Sequence, residues 1–270
     1  MALKEQHLAL SSGIGLAGFV VSNFWDENFE EFFDTFKDEI IDSIVKPKPI
    51  TAVHHYLHFY QDIYEDIDRM RKNLDNMKEV YDFITRTLDE VNLHPNLPKP
   101  DFEKCNGEHG HFECGCTEII EQWIDFVSKN AEQINNLIVH SAFQFIFQDR
   151  KFLHDFHLRL AKFVENEMDY IKKKYPDCVT AKKRIKRQPF PQWLKSAVFH
   201  RDKGTCVICR CDLSNLIRQQ NQIHIDHIVP LNLFGSNDAS NMQLLCERCN
   251  TSKGDRSTDT SFINVPFWNL

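Results

Sequence analysis

Residues 241–250 read Asn241-Met242-Gln243-Leu244-Leu245-Cys246-Glu247-Arg248-Cys249-Asn250. The Cys-x-x-Cys step in this stretch has a counterpart upstream, Cys206-Val207-Ile208-Cys209, which ends 37 positions before Cys246. Two such knuckles can hold one zinc through four thiolates, which completes a tetrahedral shell and leaves no position for a substrate. The metal expected at Cys206, Cys209, Cys246 and Cys249 is therefore structural. Cys211, a fifth thiol close by, is read as a bystander.

Between the knuckles lies His224-Ile225-Asp226-His227-Ile228-Val229-Pro230, followed by Gly235 and Asn241, with Asn250 and Lys253 just past the second knuckle. The alternation of Ile223 and Ile225 predicts a strand carrying Asp226 and His227, and Cys249 onward reads as the start of a helix. A zinc tying that helix start to the strand would hold Asp226, His227 and Asn250 in one cleft.

Taken with Arg201-Asp202 and Lys253-Gly254, these spacings closely resemble HNH endonucleases with a zinc-stabilised ββα-metal finger, over about 70 of the 270 residues. The resemblance implies roles residue by residue. His227 matches the general base that takes a proton from the attacking water, a task suited to a neutral imidazole. Asp226 and Asn250 match the pair that holds one catalytic magnesium or manganese ion through hard oxygen donors. Asn241 matches the central asparagine, whose bonds to backbone keep the histidine loop in shape.

Two positions depart from the family pattern. Asn250 stands where the name calls for histidine, keeping an oxygen donor, and Phe234-Gly235 stands where a glycine pair often follows the Asp-His strand, which is expected to reshape the turn. His224 lies two residues from Asp226 on the same strand face and reads either as surface or as a further site residue. Lys253 and Arg201 read as phosphate contacts or as solvated charges.

Charge divides the chain. Residues 1–180 carry 19 basic and 32 acidic side chains, whereas 181–270 carry 13 basic and 7 acidic ones, so an overall net charge of -7 conceals an acidic body and a basic C-terminal module facing a polyanion. The division expected is an acidic all-helical domain at 1–176, a basic linker at 177–187 and the HNH nuclease domain at 188–270. The run Lys182-Lys183-Arg184-Ile185-Lys186-Arg187 reads as a solvated connector or as a phosphate contact.

The fold expected is α-rich: an N-terminal all-α domain followed by a small ββα-metal finger with a zinc held by four cysteines. Ile63, Ile67, Met70, Leu74, Met77, Tyr81, Ile84, Leu88 and Val91 alternate in steps of four and three, predicting one long amphipathic helix for a bundle or a dimerising coiled coil. His94 to Pro100 contains three prolines and ends it, and helical patterns follow around 118–148 and 151–175. Between them Cys105, His109, His111, Cys114 and Cys116 read as a second zinc knuckle or as a loop with free thiols. The apolar stretch Leu8–Val21 is short of the ~20 residues of a membrane span and reads as a buried helix. With no basic leader or cleavage site evident, a cytoplasmic protein is expected.

The function so implied is a metal-dependent HNH endonuclease acting on DNA; the competing reading is a zinc-finger-like module that binds DNA without cutting it. A pure binder has no use for a general base beside an oxygen-lined metal pocket. An HNH module fused to an acidic helical domain is also the layout of bacterial effector nucleases used in antiviral defence or restriction. In that layout the extra domain pairs two chains or receives an activating protein or signal.

Overall fold

The computed structural model describes residues 10–25, 29–73, 76–105, 111, 114–214 and 223–262. Helices dominate: α1 (Leu10–Asn23), α2 (Phe29–Thr35), α3 (Lys37–Val45), α4 (Ala52–Tyr60), α5 (Ile63–Asn73), α6 (Met77–Glu90), α7 (Gly115–Lys129), α8 (Ala131–Ile146), α9 (Arg150–Asn166), α10 (Met168–Lys174) and α11 (Gln192–Arg201). The C-terminal finger follows as β1 (Ile223–His227), β2 (Met242–Cys246) and α12 (Glu247–Lys253), a ββα unit whose two strands are the one sheet among the described residues. The α-rich fold with a small C-terminal finger is thus the one expected.

The chain forms two compact units, each assembled from separated segments. The first comprises residues 1–24 and 56–145. Its core gathers Leu16, Val20, Tyr56, Leu57, Ile63, Ile67, Ile84, Ile120, Ile124, Ile134 and Ile138. A Cβ on Gly13 would lie 2.6 Å from the Ser141 Cβ, so glycine is what lets α1 approach α8 closely. Ile14 and Phe19 on α1 are more than half exposed while Leu16, Ala17 and Val20 are buried, so only one face of this helix is covered. No helix among the described residues is long and apolar enough to cross a membrane.

The seam from Ile63 to Val91 is two helices, α5 and α6, rather than one. Asn76 is extended (φ -143°, ψ 113°) and its side chain accepts the Lys78 N–H, capping α6. Asparagine and aspartate offer the backbone alternative hydrogen bonds, so the sequence Asn73-Leu74-Asp75-Asn76 favours ending one helix and starting the next. Leu74 lies outside the described residues. Ile63, Ile67, Met77, Ile84, Leu88 and Val91 are nonetheless buried, and α5, α6 and α7 pack on one another, so the seam is used within the unit. The later helical patterns likewise divide, into α7 with α8 and α9 with α10.

The second unit comprises residues 25–55 and 146–270. Phe29, Phe32 and Phe33 of α2 pack against Phe156 and Phe163 of α9, with Phe33 and Phe163 stacked at 4.4 Å. The finger's own core is Leu194, Val198, Val207, Leu213, Met242, Leu244 and Leu245. Strands β1 and β2 run antiparallel, with Asp226 opposite Gln243 and His227 opposite Met242. Asp202 fastens α11 to β2: it accepts the Leu244 N–H at 2.9 Å and pairs with Arg201 at 2.9 Å and Arg150 at 3.3 Å, all three side chains being buried.

Candidate active site

The four thiols of Cys206, Cys209, Cys246 and Cys249 lie within 4.8 Å of one another. Cys209 Sγ and Cys246 Sγ are 3.7 Å apart, close to the ~3.8 Å that zinc–sulfur bonds of ~2.3 Å impose on a tetrahedron. Backbone holds the knuckles open. Arg210, at φ 63°, donates its N–H to the Cys206 carbonyl, and Cys246 caps α12 by accepting the Cys249 N–H on its sulfur. This donor set fits a closed structural zinc site, which would join the 206–209 turn to the β2–α12 junction.

Asp226, His227 and Asn250 line one open cleft of about 350 Å³, together with Arg187, Pro230, Leu231, Asn232, Gly254 and Asp255. Asp226 and His227 come from β1 and Asn250 from the middle of α12. Lys253 Nζ lies 2.9 Å from Asp226 Oδ2 and donates at 2.9 Å to the His227 carbonyl. Gln243 Nε2 also reaches Oδ2, at 3.4 Å, so both bonds fall on one oxygen and leave Oδ1 of Asp226 without a protein partner among the described residues. One carboxylate oxygen and the Asn250 amide in the same cleft are hard donors that fit a magnesium-class ion with water completing the shell.

The protonation of His227 follows from its neighbour Asn237. The Asn237 Nδ2 donates to the Val45 carbonyl at 3.1 Å and the Lys186 carbonyl at 2.8 Å, which turns its Oδ1 toward His227 Nε2, 3.3 Å away. An amide oxygen only accepts, so Nε2 carries the proton and Nδ1 keeps the lone pair. Burial pushes the imidazole down to about 4, aided by the Arg187 and Lys253 cations, so it is neutral at ordinary pH. The ring also lies 5.6 Å from that of Phe190, over which Arg187 sits at 5.3 Å.

Asn241, fully buried, accepts the Val229 N–H at 2.9 Å and donates to the carbonyls of Val229 and Ser236 at 3.0 and 2.9 Å. These bonds brace both ends of the loop after His227. Its turn is made by the departure from the family pattern: Phe234 takes a left-handed φ of 59°, and a Cβ on Gly235 would lie 1.9 Å from the Val229 oxygen. The Phe234 ring stacks under Arg184 at 3.4 Å, whose Nε donates to the Asn232 carbonyl at 2.9 Å.

Arg201 and Lys253 are neither phosphate contacts nor solvated charges: both are buried and paired, with Asp202 and Asp226 respectively. His224 is not among the residues lining the cleft, although it shares the β1 face with Asp226. His109 lies outside the described residues. Two residues of the site are not singled out by sequence. Arg187, exposed at the cleft, hides among five other residues of a basic run, and Asn237 earns its place through backbone groups of residues 45 and 186. Neither has a spacing signal.

Residues 206–256 match the HNH endonuclease family, a family of nucleases. No curated protein and no solved structure matches the chain.

Proposed function

We propose that this protein is a metal-dependent endonuclease that hydrolyses DNA phosphodiester bonds to 5′-phosphate and 3′-hydroxyl ends. The observation that carries the reading is the convergence of Asp226, His227 and Asn250, all inside the stretch that matches a nuclease family, on one cleft that Arg187 joins from outside that stretch. His227 Nδ1 takes the proton of the attacking water, and Asn237 holds the ring with the other nitrogen occupied. Arg187 offers its guanidinium to a phosphate oxygen, and Asn241 braces the loop without touching substrate. Asp226 and Asn250 would hold the divalent ion, magnesium or manganese, which would offset the negative charge on the scissile phosphate and on the leaving oxygen.

The helices outside the finger are assigned a regulatory part, as receivers of an activating partner in a bacterial defence setting. What supports this is the layout alone, an HNH module joined to an acidic helical region, by analogy with effector nucleases. A double-strand break needs two cuts and hence two sites. With Ile63, Ile67, Met77, Ile84, Leu88 and Val91 buried inside the first unit, a dimer would need a surface other than this seam.

Plasmid cleavage by purified protein with magnesium or manganese tests the reading. Nicking that disappears with EDTA and with His227→Ala supports it. Tight DNA binding by folded, zinc-loaded protein without cleavage under any divalent ion favours a binding module instead.

A further inference from the structure

The connection from Val91 to Cys114, between α6 and α7, forms no helix or strand among its described residues. Connections that long inside a helical bundle are uncommon, and this one is tied to α7 where Trp123 Nε1 donates to the Pro98 carbonyl at 2.7 Å. At its C-terminal end Cys105, His111, Cys114 and Cys116 each offer one ligand atom, and the four atoms lie within 4.8 Å of one another. Among the described residues only the Cys206 set meets the same condition.

We propose that these four residues, three cysteines and one histidine, form a second zinc centre in the first unit. Zinc–sulfur bonds of ~2.3 Å and zinc–nitrogen bonds of ~2.0–2.1 Å place sulfur and nitrogen about 3.6 Å apart on a tetrahedron. Cys114 Sγ and His111 Nδ1 are 3.7 Å apart. The ligands are held in register by local structure. His111 adopts φ 64°, and its carbonyl accepts the Thr117 hydroxyl at 2.6 Å, tying it to the first turn of α7. Cys114 is the residue before that helix and accepts the Thr117 N–H at 3.0 Å, while Cys116 lies within the first turn and is buried.

The chemistry of the set selects the ion. Three thiolates and an imidazole are soft and borderline donors that favour zinc over magnesium, and four protein ligands close the shell, so the centre is structural rather than catalytic. A disulfide would use two of the three thiols and leave the third and the imidazole without a task. The His111 ring meets Phe102 at 5.1 Å, Phe102 meets Tyr81 of α6, and Tyr81 meets Trp123 of α7. Zinc here would therefore lock the connection onto the aromatic contact between the two helices it joins.

Elemental analysis of the purified full chain tests this. The expected result is two zinc per chain, with Cys105→Ser/Cys114→Ser retaining one. One zinc in the native chain, unchanged by that double substitution, would overturn the proposal. Because the double variant can fail to fold, zinc X-ray absorption of the native chain gives a second reading. A mixed sulfur and nitrogen shell that becomes sulfur-only in His111→Cys at constant zinc content supports the centre. A sulfur-only shell in the native chain refutes it.

Discussion

Replacing Asn237 by alanine separates the two things this side chain does. Its Nδ2 bonds to the Val45 and Lys186 carbonyls at 3.1 and 2.8 Å, and its Oδ1 faces His227 Nε2 at 3.3 Å, with the residue fully buried. Each polar group left without a partner costs about 1–3 kcal/mol, so with three such groups the variant should lose at least about 3 kcal/mol. For a unit of roughly 150 residues that is a fall of about 6–12 °C in melting temperature. On the proposed mechanism the imidazole also loses the acceptor that fixes its orientation, and misplacing a catalytic group by ~1 Å costs on the order of a hundredfold. Plasmid nicking rates and thermal melts measured on the same samples, well below the variant's midpoint, give both numbers. A lowered melting point with a rate within about twofold of the native value would show that Asn237 serves the fold alone.

Other perturbations read other parts of the second unit. His157 is buried, donates through Nε2 to Ser240 Oγ, and burial pushes it down to about 3. Its folded value lies below the unfolded one of 6.5, so the stability it confers is complete above that pH and drains as pH falls toward 3, by on the order of 4 kcal/mol. Asp238 is shifted upward by burial and works in the opposite sense, so native protein and His157→Gln are best compared at each pH. The variant's melting temperature should fall less on acidification, and parallel curves would refute this. Gly235→Ala forces a methyl to within 1.9 Å of the Val229 oxygen and should cost about 3 kcal/mol or more, read by chemical denaturation; a native-like midpoint would contradict the turn geometry. Lys253→Met leaves the partly buried Asp226 carboxylate without its ammonium and should destabilise by about 3 kcal/mol, whereas an unchanged melt would mean that the pair contributes nothing net.

What could be read from sequence was whatever chemistry ties to a fixed spacing. Four thiols around one ion require close pairs, so Cys206, Cys209, Cys246 and Cys249 stood out, and strand alternation put Asp226 and His227 beside them. Apolar periodicity marked the helices, but short polar residues such as Asn76 divided them where periodicity ran on. Arg201 read as a phosphate contact or a solvated charge because its burial comes with the Asp202 carboxylate that it shares with Arg150, distant in the sequence. Asn237 was invisible for the same reason: its partners are carbonyls of Val45 and Lys186, and a carbonyl leaves no mark in a sequence.

The interleaving of the two units has a consequence for the order in which they can be completed during synthesis. The first unit has all its residues once position 145 has been made, whereas the second opens with residues 25–55 and is finished only by 146–270. Phe29, Phe32 and Phe33 therefore wait for Phe156 and Phe163 while more than a hundred further residues are added. At ~5–20 residues per second that interval is on the order of ten seconds. Throughout it the α2 aromatic residues lack their α9 partners and the cleft does not yet exist, so a nascent chain would be open to chaperones before its candidate site is assembled.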